Sequence, residues 1–312
     1  MRIGIQTGDV IKDFGLEDGY RMIAEAGFEC LDLNLDHMFE GSRLREGTYR
    51  GSSPMEEGLS ALMLVYAKEL DTIKKYGLTV SQIHAPFPSY ASGNEDSLDY
   101  MIELHRTAIR FADAIGAKNL VIHGISRSVQ DKNDTQDRID ELNFKLYSSL
   151  IPTLRECNVT VCLENLPTWY TDGKGFRMIY AGHCCDPYEA TAEIDMLNEL
   201  AGKECFGLCL DTGHLNITRT PVTKYISVLG ERIKCLHIHD NNGMDDSHMA
   251  PYTGSVRWQD YISALRAIGY SGDLSFETFR QTTKSVMPPE LASPWLKLMA
   301  AEANYFREKI LE

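Results

Sequence analysis

The sequence predicts an α/β protein folded as a single (β/α)8 barrel over residues 1–312. Three observations lead there. Short apolar runs alternate with helix-length patterns eight times. Several helical patterns stop at glycine just before the next run. Six consecutive runs end in Asp, Glu or His. Repeated strand–helix alternation favours parallel strands. Closing eight of them gives a TIM-type barrel, whose chemistry sits at the C-terminal strand ends. A doubly wound open sheet is the runner-up. Its dinucleotide-binding version is weakened because no Gly-x-Gly-x-x-Gly follows the first run.

The elements follow in order. A strand at Arg2–Gln6 precedes a helix at about Leu16–Gly27. Strands at Glu29–Asn34 and Thr79–His84 flank a helix over Ser60–Tyr76. Ser97–Gly116 is helical, then Asn119–His123 is a strand. Asp137–Glu156 is read as one helix, and Thr160–Glu164 as the fifth strand. Pro187–Gly202 leads to a strand at Gly207–Asp211, and Pro221–Leu229 to one at Ile233–His237. Trp258–Ile268 precedes the eighth strand, Leu274–Glu277, and Pro294–Ile310 closes the chain. Glycines at 27, 77, 116 and 269 end helices because glycine tolerates the left-handed conformation of a C-cap. Two βα connections are long. His37–Pro54 follows the second strand. Pro167–Asp186 follows the fifth and holds Trp169, Tyr170, Phe176 and Tyr180, which could stack on a substrate or pack on the surface or against a second copy in a homo-oligomer.

The hydrophobic fraction of 43% and charged fraction of 24% are ordinary for a globular protein. The formal net charge of −14 argues against a nucleic-acid partner, because phosphate binding relies on Lys and Arg. No apolar run reaches the ~18 residues of a membrane span, and the N-terminus lacks a signal-peptide core. Eight scattered cysteines without a Cys-x-x-Cys pair fit buried thiols and a cytoplasmic location.

The polar strand ends carry the chemistry. His84 ends the third strand, His123 the fourth, Glu164 the fifth, Asp211 the sixth, His237 the seventh and Glu277 the eighth, with His214 just behind Asp211. In the seventh strand, alternation puts His237 and His239 on one face. Asp240, Asp245, Asp246 and His248 follow in a loop rich in Gly and Asn. Buried carboxylates and imidazoles are costly unless paired or metal-bound. Three carboxylates converging on one mouth repel each other unless a cation neutralises them. Glu164, Asp211, His237 and Glu277 are therefore the expected ligands of one divalent ion, with oxygen-rich chemistry that suits Mn²⁺, Mg²⁺, Co²⁺ or Zn²⁺.

These strand ends resemble the sugar phosphate isomerase/epimerase superfamily, the xylose isomerase-like TIM barrels. The resemblance rests on Leu-Glu-Asn at 163–165, Leu-Asp-Thr-Gly-His at 210–214 and His-Ile-His-Asp-Asn at 237–241. Asp-Ser-His at 246–248, Gly254 before Trp258 and Phe-Glu-Thr at 276–278 extend it over nearly the whole chain. It implies a metal held by Glu164, Asp211, His237 and Glu277. It also implies that Glu164 and Glu277 move protons on opposite faces of a sugar through a metal-stabilised enediolate. The substrate would be a small sugar, sugar phosphate or related hydroxy-carbonyl compound. One departure stands out: where the family shows Gly-x-Gly near the Trp, this chain has Tyr252-Thr253-Gly254.

Endonuclease IV is similar too. Its nine ligands to three zinc ions match His84, His123, Glu164, Asp211, His214, His237, Asp246, His248 and Glu277 by type. With one metal only, His84, His123, His214 and His248 are expected to bind substrate hydroxyls or orient ligands. Arg257 is a further candidate for a substrate phosphate or carboxylate. A zinc phosphodiesterase and a non-catalytic sugar-binding barrel are the alternatives to an isomerase.

Overall fold

The computed structural model describes residues 1–127 and 134–312. Among these residues are ten strands: β1 Ile3–Gln6, β2 Cys30–Asn34, β3 Thr79–His84, β4 Asn119–Ile122, β5 Thr160–Glu164, β6 Pro167–Thr171, β7 Arg177–Ala181, β8 Phe206–Asp211, β9 Ile233–His237 and β10 Leu274–Phe276. Eight of them form one sheet in the order β10-β1-β2-β3-β4-β5-β8-β9. Pairing is parallel, with Ile3 opposite Leu274, Gly4 opposite Cys30 and Asn119 opposite Thr160. The ring closes just past β9, where Ile238 N–H donates to Ser275 O and Glu277 N–H to Ile238 O. The fold is the predicted (β/α)8 barrel. Every predicted barrel strand lies within one residue of its observed bounds.

The described chain falls into two compact units. One comprises residues 1–33, 66–82 and 209–312. In it, β1 is buried at every position, and the helices Trp258–Ala267 and Ala292–Leu311 meet through Trp258 and Phe306, whose rings lie 5.2 Å apart. The other unit comprises residues 34–65 and 83–208 and carries the helix Glu95–Ile115. That helix ends at Gly116, whose φ of 79° lets its N–H reach back to Ala112 O and Asp113 O.

Three departures from the sequence reading have local causes. The helix expected over Asp137–Glu156 is two, Gln136–Ser148 and Ile151–Glu156. Pro152 lacks an N–H and its ring clashes with the carbonyl four residues back, so it starts a helix instead of continuing one. The first helix begins earlier, spanning Gly8–Ala26 with a break at Gly15. The long connection after β5 is not irregular: β6 and β7 form an antiparallel hairpin with Trp169 opposite Ile179. Asp172 Oδ1 seeds its turn by accepting the N–H groups of Lys174 and Phe176, both at 2.8 Å. The Arg177 guanidinium sits 3.5 Å over the Trp169 ring, so one face of that aromatic is already covered.

Candidate functional site

In the first unit, carboxylates and imidazoles interlock at the ends of β8, β9 and β10. Asp211 ends β8 fully buried and caps the helix Thr212–Ile217, accepting the His214 N–H at 2.6 Å. His239 Nε2–H donates to both Asp211 oxygens, at 3.0 and 2.9 Å. The ring lies where a side chain at position 213 would be: a Cβ on Gly213 would come within 1.9 Å of His239 Cε1. The glycine of Leu-Asp-Thr-Gly-His is thus a space requirement of the imidazole.

His237 ends β9 fully buried. Its Nε2–H donates to Asp32 Oδ2 at 3.0 Å, and Gln82 Nε2 donates to that same oxygen at 3.0 Å. An imidazole that donates from Nε2 presents a lone pair at Nδ1. That atom lies 3.3 Å from Glu277 Oε2, while Gln6 Nε2 donates to Oε1 at 2.8 Å. Two electron-pair donors facing each other at this distance suit a shared cation, and a ring whose other nitrogen is held by a carboxylate is the usual metal-binding arrangement. The buried His237 nitrogen and Glu277 oxygen therefore suit a divalent metal, while Asp211 groups with His214 and His239 as a separate candidate ligand set.

The loop beyond β9 brings Asp246 into the same group. Its Oδ2 lies 3.3 Å from His214 Nε2 and 3.2 Å from His248 Nε2. Burial works to raise its pKa, but His214 and then His248 hold it well below the usual carboxylate range. Burial opposes a charge on His248 as well, yet Glu277 and Asp246 push its pKa up to about 9. The His248 ring stacks at 4.1 Å on His239 and at 4.4 Å on Phe279.

Asp240 does not join this group. It is fully buried and accepts N–H groups from Asn241, Val256, Gly254 and the Trp258 indole, at 2.9–3.0 Å. Asp240 therefore pins both ends of the loop that carries Asp246 and His248. Gly254 is required here, because a Cβ would approach Asp240 Oδ1 to 2.3 Å. Arg257 also stays outside: its guanidinium pairs with Asp260 at 2.7 Å and its side chain is 81% exposed.

In the second unit, Glu164 ends β5 buried, with Oε2 3.0 Å from His123 Nε2. His84 Nε2 lies 3.0 Å from His123 Nε2 and 3.9 Å from that same oxygen. Asp36 approaches the other His84 nitrogen at 3.2 Å. His84, His123 and Glu164 form a second grouping able to hold a metal.

The sequence reading missed the partners: Asp32 for His237, Gln6 for Glu277 and Asp36 for His84. Asp32 carries a usable signal, being a carboxylate between Leu31 and Leu33 in the middle of a buried strand. His239, which strand alternation puts on the same face as His237, holds the Asp211 carboxylate directly.

The family model described as xylose isomerase-like TIM barrel matches residues 20–309. An uncharacterized protein of Methanocaldococcus jannaschii is 26% identical over 234 residues, covering 74% of each chain. A D-psicose 3-epimerase of Enterocloster bolteae is 30% identical over 130 residues, which is 42% of this chain and 37% of that protein. The crystal structure of a D-tagatose 3-epimerase-like protein superposes with a TM-score of 0.66 at 21% identity, covering 99% of this chain and 100% of that one. That last likeness concerns the fold.

Proposed function

Because the chain belongs to the xylose isomerase-like TIM barrel family, we propose that it is a divalent-metal-dependent isomerase or epimerase of a small sugar, sugar phosphate or related hydroxy-carbonyl compound. The observation that carries this reading is the Asp32–His237–Glu277–Gln6 chain, in which a buried imidazole lone pair faces a buried carboxylate oxygen 3.3 Å away. Partial relatives named as 3-epimerases of psicose and ribulose support the same class.

Glu164, Asp211, His237 and Glu277 would hold the ion. A divalent cation supplies Lewis acidity, which makes the hydrogen on a carbon beside a coordinated carbonyl easier to remove. Glu277 is suited to proton exchange because Gln6, donating to Oε1, fixes the orientation of its carboxylate. Glu164 is its partner, with His123 at Oε2 to orient it. One carboxylate removes the proton and the other returns it. His84, His123, His214 and His248 meet substrate hydroxyls around them. Phe87, tilted over His123 at 4.6 Å and 41% exposed, offers an apolar face to a sugar ring.

The test is turnover of ketopentoses, ketohexoses and their phosphates in deuterium oxide. Deuterium should enter at the carbon beside the carbonyl. Glu164→Gln and Glu277→Gln should each lose ~10²-fold or more in kcat, the usual scale of a positioned acid or base. Full activity in either variant rejects the two-carboxylate mechanism.

A second reading follows from the His84–His123–Glu164 grouping, whose ligand atoms lie within 4.8 Å of one another. With Asp246 between His214 and His248, it supports up to three zinc ions and phosphodiester chemistry. About three zinc per chain and chelator-sensitive nicking of abasic-site DNA would favour it over the sugar reading.

A further inference from the structure

Below the β6–β7 hairpin, three side chains outside the proposed site converge on one point. His183 Nε2 lies 2.8 Å from Glu193 Oε2, and Cys184 Sγ lies 3.6 Å from that nitrogen and 3.9 Å from that oxygen. We propose that His183, Cys184 and Glu193 bind one divalent ion of the zinc class, with a further coordination position open to the neighbouring cavity.

The triangle has the right size. Zinc bonds of 2.0–2.3 Å at tetrahedral angles separate nitrogen, oxygen and sulfur ligands by ~3.4–3.6 Å. The observed edges lie within ~0.6 Å of that spacing. The donor types are right as well, since thiolate plus imidazole selects zinc-like ions over magnesium or calcium. A nucleophilic relay is a poorer account of the trio. A relay needs the carboxylate on one ring nitrogen and the thiol on the other. Here both address Nε2.

The surroundings are built to hold the trio in place. Cys184 adopts φ 59°, a left-handed conformation that side-chain-bearing residues rarely take. The His183 ring stacks on Tyr147 at 5.9 Å and 18°. Its Nδ1 edge fills the space over Gly124, where any Cβ would come within 2.1 Å. The His183 N–H donates to Ser126 Oγ at 3.1 Å, and its carbonyl accepts from Leu166 N–H at 2.9 Å. All three ligands line a cavity of about 610 Å³ whose other walls include Ile139, Asn143, Phe144 and Met196. Water or a small ligand can therefore reach an ion held here. On binding, the Cys184 S–H proton leaves to solvent as the sulfur–metal bond forms, the His183 proton moves from Nε2 to Nδ1 to free the binding lone pair, and nothing is oxidised or reduced. The ion would tie the base of the hairpin to the helix Pro187–Ala201.

Cobalt titration of the purified, chelator-treated chain tests this. A thiolate bound to Co²⁺ gives an intense charge-transfer band in the near ultraviolet. Cys209 Sγ lies within 4.8 Å of a His237 ring nitrogen, so loss of the band in Cys184→Ser, and not its presence alone, assigns it to the present site whatever becomes of the function proposed above. The expected result is a saturable band whose full intensity corresponds to one thiolate-bound Co²⁺ per chain, which is displaced by Zn²⁺ and lost in Cys184→Ser. Glu193→Gln keeps the thiol and should weaken Co²⁺ binding by ~10-fold or more, the scale seen for a damaged ligand shell. It serves as the second variant if Cys184→Ser fails to fold. Absence of the band in the unmodified chain at saturating Co²⁺, or an unchanged band in Cys184→Ser, overturns the proposal. So does unchanged affinity in Glu193→Gln.

Discussion

Gly213 has no side chain because the His239 ring occupies that space, with its Cε1 only 1.9 Å from where a Cβ would stand. Gly213→Ala should push the imidazole off Asp211. We expect a stability loss of ~1–3 kcal/mol from overpacking and a drop in metal affinity, read by denaturation and by metal content. An alanine variant with unchanged metal content would show that the His239–Asp211 contact is dispensable. His105 makes a different prediction. It is fully buried, its Nε2 lies 3.2 Å from Pro86 O, and burial lowers its pKa from 6.5 to about 4. The unfolded chain therefore takes up the proton first as pH falls. Stability present above pH ~6.5 is lost between there and about pH 4. The full effect is roughly 3 kcal/mol. His105→Gln should flatten that part of the stability–pH curve, measured by denaturant titration at pH 7 and pH 4.5. An unchanged slope would assign the acid sensitivity to other groups.

At the scale of elements, Asp240 fixes the loop beyond β9 with four N–H groups on one carboxylate. Asp240→Asn replaces an acceptor by a donor against those groups. A cost of ~2–4 kcal/mol follows from hydrogen bonds to a charged group and a buried donor left unmet. Hydrogen exchange over residues 241–256 should accelerate at the same time. Protection equal to the parent chain would locate the loop's order elsewhere. The sequence disclosed the barrel strands well, because strands buried on both faces read as unbroken apolar runs. It did not disclose β6 and β7. Their residues are half-buried or exposed, so Pro167–Asp186 lacks the contrast that marks a strand. The site was legible only in part for a related reason. A strand-end carboxylate announces itself locally, but its partner does not: Asp32 lies 205 residues from His237.

For the whole molecule, a ligand that binds only the folded chain stabilises it in proportion to the logarithm of its concentration. If Asp211, His237 and Glu277 hold a metal, chelation should lower Tm. Adding Mn²⁺ or Co²⁺ at about 100 times Kd should restore roughly 2.7 kcal/mol. Asp211→Ala should show a smaller response to both in a calorimetric scan, keeping only what the His183–Cys184–Glu193 site contributes. Equal responses in the two proteins would place the stabilising ion elsewhere. Among the described residues no helix is long and apolar enough to cross a membrane, and all eight cysteines are buried as thiols.

The hydrogen bond from Gln6 to Glu277 joins residues 271 positions apart, as does the nearby ion pair of Arg2 with Asp273. During synthesis, β1 emerges long before the strand that will cover its edge. At ribosomal speeds of about 5–20 residues per second, that wait is on the order of 14–54 seconds. Until β10 arrives, one edge of the nascent sheet stays open to pairing with other chains. The Gln6 amide also lacks the carboxylate that it will orient, the one proposed for proton transfer. A ribosome stalled before Leu274 would therefore hold an inactive, adhesive fragment. Nascent chains of that length should associate with holdase chaperones, whereas the 312-residue chain should not.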